Sequence, residues 1–276
     1  MNSSGRADTG ALAELASAVA WEAGDLLASK HDQVRVVQTK SSPTDVVTEM
    51  DRAAEELIRD RILAARPDDV ILGEEGGQTG ADSQVRWIVD PLDGTVNYLY
   101  GLPEWAVSIA AEVSGTVVAG VVTAPLQRST YIATLGGGAW LHSAWHSGPV
   151  QLRCNTDVEL ANALVATGFS YTAAQRAAQG TVVAQLLPRV RDIRRAGAAA
   201  IDLCSVAAGR LDAFYESGLH DWDLAAGGLI ASEAGAKVGG MHGHLAGADM
   251  TIAANPALFA ALHDFLASSG CELASS

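Results

Sequence analysis

Residues 87–98 read Trp-Ile-Val-Asp-Pro-Leu-Asp-Gly-Thr-Val-Asn-Tyr, an apolar stretch that ends in two carboxylates. Asp90 and Asp93 repel each other, and holding both ionised is unfavourable unless a cation lies between them. Gly94, Thr95 and Asn97 add a backbone turn and neutral donors beside that charge. Such a corner suits a hard metal ion that holds a phosphate. Two more acidic clusters fall at the ends of predicted elements: Glu74-Glu75 after Val70-Ile71-Leu72-Gly73, and Asp221-Trp222-Asp223 just ahead of a helix. Taken alone, either reads as solvated surface, and Asp221 and Asp223 also fit helix capping, because the free N–H groups and dipole of a helix start favour Asp. Taken together they point to one edge, since strand ends in α/β sheets converge where ligands bind. The donors are oxygens only, with no Cys or His partner at metal spacing, which favours Mg²⁺ over Zn²⁺.

The elements that must position these acids follow from hydrophobic periodicity. Leu12, Leu15, Val19, Leu26 and Leu27 predict a helix within 11–30. A second helix is expected after Thr44, with Val47, Met50, Ala54, Leu57, Ile58 and Ile62 on one face and Pro67 closing it. Residues 70–73 and 86–89 read as short buried strands that deliver Glu74 and Asp90. Between 105 and 142 the pattern becomes hairpins, with turns at Ser114-Gly115 and at Gly136-Gly137-Gly138. After Pro149 strands and helices alternate: 163–167, a helix over 173–190, then 201–208, 211–215, 224–234, 251–254 and a last helix over 256–266. This predicts an antiparallel-rich α+β half, residues 1–149, followed by an α/β half, residues 150–276.

Composition narrows the classes. The chain has 276 residues, 49% hydrophobic and 18% charged, enough for a substantial core and too apolar for disorder. A formal net charge of −14 argues against a general nucleic-acid surface, which needs clustered Lys and Arg. Cys154, Cys204 and Cys271 are odd in number and widely spaced, so neither a disulfide framework nor a zinc cage is indicated. The first residues lack the apolar core of a signal peptide, and no apolar run reaches the ~20 residues of a membrane span. The expectation is a cytoplasmic protein.

Four blocks resemble the inositol monophosphatases, within the larger group of lithium-sensitive, magnesium-dependent sugar phosphatases. Lys40-Ser41-Ser42-Pro43-Thr44-Asp45-Val46-Val47-Thr48-Glu49-Met50-Asp51 looks like that family's N-terminal block, and Gly73-Glu74-Glu75 like its metal glutamate block. Residues 87–97 are similar to its Asp-Pro-x-Asp-Gly-Thr-x-Asn signature. Trp222-Asp223-Leu224-Ala225-Ala226-Gly227, continuing to Glu233-Ala234-Gly235, resembles its C-terminal signature. The resemblance implies a layered α-β-α-β-α sandwich, with a larger antiparallel-rich N-terminal sheet and a smaller mixed C-terminal sheet. It implies two to three Mg²⁺ ions: Glu74, Asp90 and the Leu92 carbonyl for one, Asp90, Asp93 and Asp223 for the second, and Glu74 through water for a looser third. Thr95 and Asp51, aided by Glu74, look like the dyad that orients and deprotonates the attacking water. Gly94 and Thr95 resemble backbone donors to the phosphate. Gly197, Ala198 and Ala199 resemble the loop against the sugar ring, and Glu216 the acceptor of ring hydroxyls. Leu92, Asp93 and Asp223 complete the substrate-contacting set.

The implied function is hydrolysis of myo-inositol 1-phosphate, with histidinol phosphate, fructose 1,6-bisphosphate and 3′-phosphoadenosine phosphate as alternatives on the same metal site. A homodimer is implied, with Trp105, Trp140 and Trp145 as candidate interface residues, and so is lithium inhibition. A different class, a partner of the transcription machinery, rests on some bacterial family members and on the basic stretch Arg189, Arg191, Arg194 and Arg195. Tyr98 stands where an aromatic, often Phe, follows the Asn, and its hydroxyl is expected to reach solvent or substrate. Ala198 replaces a common Ser or Thr. Asp221 reads as a cap or a solvated acid. Cys204 and Arg210 fit a Cys-x5-Arg phosphatase loop, but the flanking apolar residues read as a buried helical face. Asp221-x-Asp223 lacks the apolar strand of a haloacid-dehalogenase nucleophile. The triple glycine reads as a turn, and His242 and His244 as polar loop residues.

Overall fold

The computed structural model describes residues 8–31, 36–39, 46–80 and 83–269. Lys40–Asp45 of the N-terminal block and Cys271 lie outside the described residues. Helix α1 (Thr9–Lys30) starts on Asp8, whose carboxylate accepts the Gly10 and Ala11 N–H groups. A two-stranded ribbon, β1 (Val36–Thr39) and β2 (Val46–Thr48), leads into α2 (Glu49–Ala65). Here the sequence expectation is corrected: Val46 and Val47 belong to a strand, and the helix begins only at Glu49. The cause is a capping box, in which Thr48 Oγ1 accepts the Met50 and Asp51 N–H groups while Asp51 reaches back to the Thr48 N–H at 2.8 Å.

Strands β3 (Val70–Gly73), β4 (Gly77–Thr79) and β5 (Val85–Asp93) follow, then a short helix, α3 (Thr95–Leu99). The meander β6 (Ala106–Val113), β7 (Thr116–Ala124), β8 (Ser129–Thr134), β9 (Gly138–Ser143) and β10 (Val150–Gln151) completes an eight-stranded sheet, ordered β10-β9-β8-β7-β6-β5-β3-β4. Every pairing is antiparallel except β3 with β5. The chain continues through β11 (Leu164–Thr167), α4 (Ala173–Leu186), β12 (Asp192–Arg194), α5 (Ala199–Ala207), β13 (Ala213–Glu216), α6 (Asp221–Glu233), β14 (Lys237–Gly239), β15 (Thr251–Ala254) and α7 (Pro256–Ser268). Their strands form a second, mixed sheet, β12-β11-β13-β15-β14.

Alternation along β5 and β6 sorts the large sheet into two faces. Trp87, Val89, Val107 and Ile109 pack with α1 and α2, while Ile88, Ala106 and Ala110 pack with α5 and α6. The opposite side of α5 and α6, through Ala199, Leu203, Val206 and Ala231, meets Ala166, Phe214 and Ala253 of the small sheet. Its far face is closed by Val182 and Leu186 of α4 and Leu258, Phe259 and Leu262 of α7. The layers therefore run α-β-α-β-α. Small residues let the middle layer approach closely: a Cβ on Gly120 of β7 would lie 2.9 Å from the Ala226 carbonyl of α6. The Glu233 carboxylate at the end of α6 accepts the Gly136 and Gly138 N–H groups, both at 2.8 Å, so the triple glycine is a hairpin turn locked onto the middle layer.

Candidate active site

The acidic corner is made by a bulge. Asp90 pairs with Ser108 and Asp93 with Ala106, so three steps along β5 match two along β6. In a regular strand residues three apart face opposite ways; the extra residue at Pro91-Leu92 returns Asp93 to the face of Asp90. Pro91 has no N–H to lose from the ladder. That face looks onto the middle layer, where α6 brings Asp223. Carboxylate oxygens of Asp90, Asp93 and Asp223 lie within 4.8 Å of one another, with both strand acids buried.

Each acid is aimed by a hydrogen bond. Asp90 Oδ1 accepts the Leu92 N–H at 3.0 Å, and Asp93 Oδ2 accepts the Ala200 N–H at 2.8 Å, in the first turn of α5. Asp223 Oδ2 accepts the His220 N–H at 2.7 Å, so this acid both caps α6 and joins the cluster. Burial, then Glu74, Asp93 and Asp223, push Asp90 well above the usual carboxylate range. Burial and Asp223 push Asp93 up, against the Ala200 N–H that favours its charge. Glu74 stands outside the trio yet close enough to be the largest charge acting on Asp90. Its backbone N–H donates to the Val89 carbonyl, directly before Asp90. Repelling carboxylates with oxygen donors only are the chemistry of a hard divalent cation site.

Beside the trio, Thr95 Oγ1 donates to Asp51 Oδ1 at 2.9 Å and approaches the Leu92 carbonyl at 3.1 Å. Burial raises Asp51, and the donors Thr48 and Thr95 pull it back. Gly94 turns the chain at φ 92°, and a Cβ there would lie 2.7 Å from the Glu104 carbonyl. The 197–199 loop sits directly against this turn, since that same Cβ position is 3.3 Å from Ala198 Cβ. Glu216 ends β13 and abuts Gly168. Burial, then the charges of Asp202, Asp223 and Asp93, push it to about 8, with Arg195 opposing.

The model of the inositol monophosphatase family matches residues 8–272. The chain belongs to the inositol monophosphatase family. A relative named inositol-1-monophosphatase from Mycobacterium leprae (strain TN) is 49% identical over 240 residues, covering 83% of this chain and 82% of the relative. The protein named Nus factor SuhB from Escherichia coli (strain K12) is 38% identical over 254 residues, covering 90% and 92%. The solved structure of Mycobacterium tuberculosis SuhB superposes with a TM-score of 0.81 at 41% identity, covering 96% and 98%. Inositol monophosphatases are phosphatases of small phosphorylated substrates and generally depend on metal, which agrees with the buried acidic cluster. No helix among the described residues is long and apolar enough to cross a membrane.

The structure differs from the sequence expectation at Tyr98, Asn97 and Trp105 and agrees with it at Asp221, Cys204, His242 and His244. The Tyr98 hydroxyl reaches neither solvent nor the cleft; it is buried and donates to the Leu27 carbonyl of α1 at 2.7 Å. Asn97 is not a donor beside the acids. Its Nδ2 bridges the Glu104 and Ala196 carbonyls at 2.6 and 2.9 Å, tying the corner to the 197–199 loop. Trp105 is buried against Tyr98, whereas Trp140 and Trp145 are exposed. Asp221 is exposed and 3.9 Å from Arg86. Cys204 is buried inside α5, where burial pushes its thiol up, and Arg210 donates to the Tyr131 hydroxyl at 2.8 Å; no phosphate loop exists there. His242 and His244 lie on a turn in which the His242 N–H donates to His263 Nε2.

Sequence reasoning missed two acids. Glu55, buried on α2, binds the turn that carries Glu74, and Asp202, buried on α5, is held at about 7 by burial against the opposing charge of Arg195. The signal was present for both: a carboxylate standing within the apolar stripe of a helix.

Proposed function

We propose that this chain is a Mg²⁺-dependent phosphomonoester hydrolase whose favoured substrate is myo-inositol 1-phosphate. The observation that supports this most directly is the trio Asp90, Asp93 and Asp223 beside the Asp51–Thr95 hydrogen bond. In this reading Glu74, Asp90 and the Leu92 carbonyl would hold one Mg²⁺, Asp90, Asp93 and Asp223 would hold a second, and Glu74 would hold a looser third. When bound, such ions neutralise phosphoryl oxygens, acidify a water and stabilise the leaving oxygen.

The chain's own groups then do the positioning. Thr95 gives its proton in a hydrogen bond to Asp51, which turns the Thr95 oxygen lone pairs toward an attacking water. As that water's oxygen bonds to phosphorus, its proton passes to Thr95 Oγ1 and the Thr95 proton to Asp51. The bond from phosphorus to the ester oxygen breaks on the opposite side, and the inositol oxygen leaves with a proton supplied by solvent water, while Asp51 returns its proton to solvent. No covalent intermediate with the protein is required. Backbone groups of Gly94 and Thr95 hold the phosphate, the 197–199 loop lies along the ring, and Glu216 accepts hydroxyl hydrogen bonds. The M. leprae relative's name supports the inositol substrate.

The test is phosphate release by the purified full-length chain with Mg²⁺ across inositol 1-phosphate, histidinol phosphate, fructose 1,6-bisphosphate and 3′-phosphoadenosine phosphate. A kcat/KM at least tenfold higher on the first is expected; preference for another overturns the substrate assignment. A homodimer fits the exposed Trp140 and Trp145 and is checked by sedimentation. Inhibition by millimolar Li⁺ belongs to the same reading. A second role, docking to the transcription machinery, draws on the name of the E. coli relative. Its proposed basic stretch is already engaged within the chain: Arg194 pairs with Asp192, Arg191 binds the Asn162 carbonyl, and Arg189 and Arg195 lie over Phe265 and Phe169. The enzymatic reading is therefore preferred.

A further inference from the structure

Glu55 lies one helical turn after Asp51 on α2 and is almost fully enclosed, 3% exposed. Its carboxylate accepts two successive backbone N–H groups twenty residues on, Glu75 at 2.7 Å through Oε2 and Gly76 at 2.8 Å through Oε1. Arg59 Nη2 adds a third bond to Oε1 at 2.7 Å. The glycines around this turn are shaped to it. A Cβ on Gly73 would lie 2.6 Å from the Glu55 carboxyl carbon, and one on Gly76 2.5 Å from Oε1. Glu74 is thus clamped along its backbone: its own N–H donates to Val89 at the edge of the acidic corner, and the next N–H is held by Glu55. An apolar residue at 55 would leave the Glu75 and Gly76 N–H groups without this acceptor, and a salt bridge to Arg59 alone would not require burial.

We infer that Glu55 is a positioning residue that sets Glu74 in register with Asp90 for metal binding. One helix, α2, then carries both the water relay at Asp51 and, a turn later, the clamp on a metal ligand. The spacing between the two is held by helix geometry, about 5–6 Å between side chains at i and i+4. This inference rests on the proposed Mg²⁺ site. Outer residues that orient ligands typically contribute 10–100-fold to metal affinity. In Glu55→Gln one of the two N–H groups would face an amide NH₂, a donor against a donor, and the turn would relax.

The experiment titrates Mg²⁺ calorimetrically into metal-free full-length protein and follows amide exchange at Glu75 and Gly76. For Glu55→Gln the Mg²⁺ Kd should rise about tenfold, with faster exchange at both amides in the metal-free protein. KM for inositol 1-phosphate at saturating Mg²⁺ should stay within about twofold, because the clamp acts on the metal ligand and not on ring contacts. Arg59→Met removes the ion pair and leaves both backbone bonds, so it should lower the Tm without moving the Kd. Gly73→Ala presses a methyl onto the Glu55 carboxylate without changing charge and serves the same test should Glu55→Gln fold poorly. An unchanged Kd in these two variants, or an equal rise in Arg59→Met, overturns the inference. Wild-type protein that binds no Mg²⁺ overturns the proposed function itself, and with it this role.

Discussion

Asp51 and Asp90 are both buried carboxylates at the same end of the large sheet, yet their surroundings differ in kind. Asp51 accepts hydrogen bonds from the Thr48 N–H, the Thr48 hydroxyl and Thr95, so protein donors meet most of the demand that burial creates. Glu55, on the same helix, is likewise met by two backbone N–H groups and an arginine. Asp90 has one backbone donor and faces Glu74, Asp93 and Asp223. The first environment is largely answered by donors within the chain; the second has mostly like charges around it and calls for added positive charge. Burial of an acid is therefore a poor guide to metal binding, and the sign of what surrounds it is a good one.

Variants and titrations at these acids would test that contrast. The largest effect is expected for Asp93→Asn, which should lower kcat/KM roughly 10³-fold, on the scale of losing one preorganised electrostatic group. It should also raise the Tm of the metal-free protein by relieving repulsion. A higher metal-free Tm in Asp51→Asn instead would invert the comparison. Asp51→Asn and Thr95→Ala should each lower kcat about 10²-fold with little change in KM, the range of a general acid–base contribution.

Next in size is the response to metal and pH. Mg²⁺ at a hundred times its Kd should stabilise the fold by about 2.7 kcal/mol, roughly 5–10 °C in Tm for a chain of this size. Asp202 and Glu216, at about 7 and 8, are both raised above ordinary carboxylates, so the native metal-free state holds protons that the unfolded chain releases. Their stabilising contribution is full below about pH 4 and is lost as pH rises through 7 to 8. Metal-free Tm should fall across that window, and Mg²⁺ should flatten the fall. A Tm that rises with pH without metal would contradict the sign. For Glu216→Gln, KM for inositol 1-phosphate should rise about tenfold, by the loss of one hydrogen bond from a ring hydroxyl, with a smaller change in the Mg²⁺ Kd. The smallest effect on catalysis, none, is expected for Tyr98→Phe, which leaves the buried Leu27 carbonyl without its donor and lowers stability by about 1–3 kcal/mol.

Legibility in the sequence followed the distance over which each cause acts. The apolar run ahead of Asp90, the Gly94 turn and the Asp223 helix start are local patterns, and the structure has them where the pattern puts them. The hairpins of the large sheet were readable from turn residues for the same reason. The second helix starts later than its apolar spacing predicts, because the capping box at Thr48 outweighs the spacing of Val47. Strands β4, β12 and β14, three residues each, carry too little pattern to be seen at all. The roles of Tyr98 and Asn97 are not legible in the sequence, because their partners, Leu27, Glu104 and Ala196, are set by packing between layers.

Sequence alone determined which residue types were available, the order of the blocks and the abrupt strand-to-turn corner, because propensity and hydrogen bonding within a few residues govern these. Packing between layers puts Asp90 and Asp93 on one face, brings Asp223 to them and closes Glu55 on the Glu74 turn. The bulge in β5 and the close approach of the middle helices are products of long-range packing, and repulsion among distant acids exists only once that packing has brought them together.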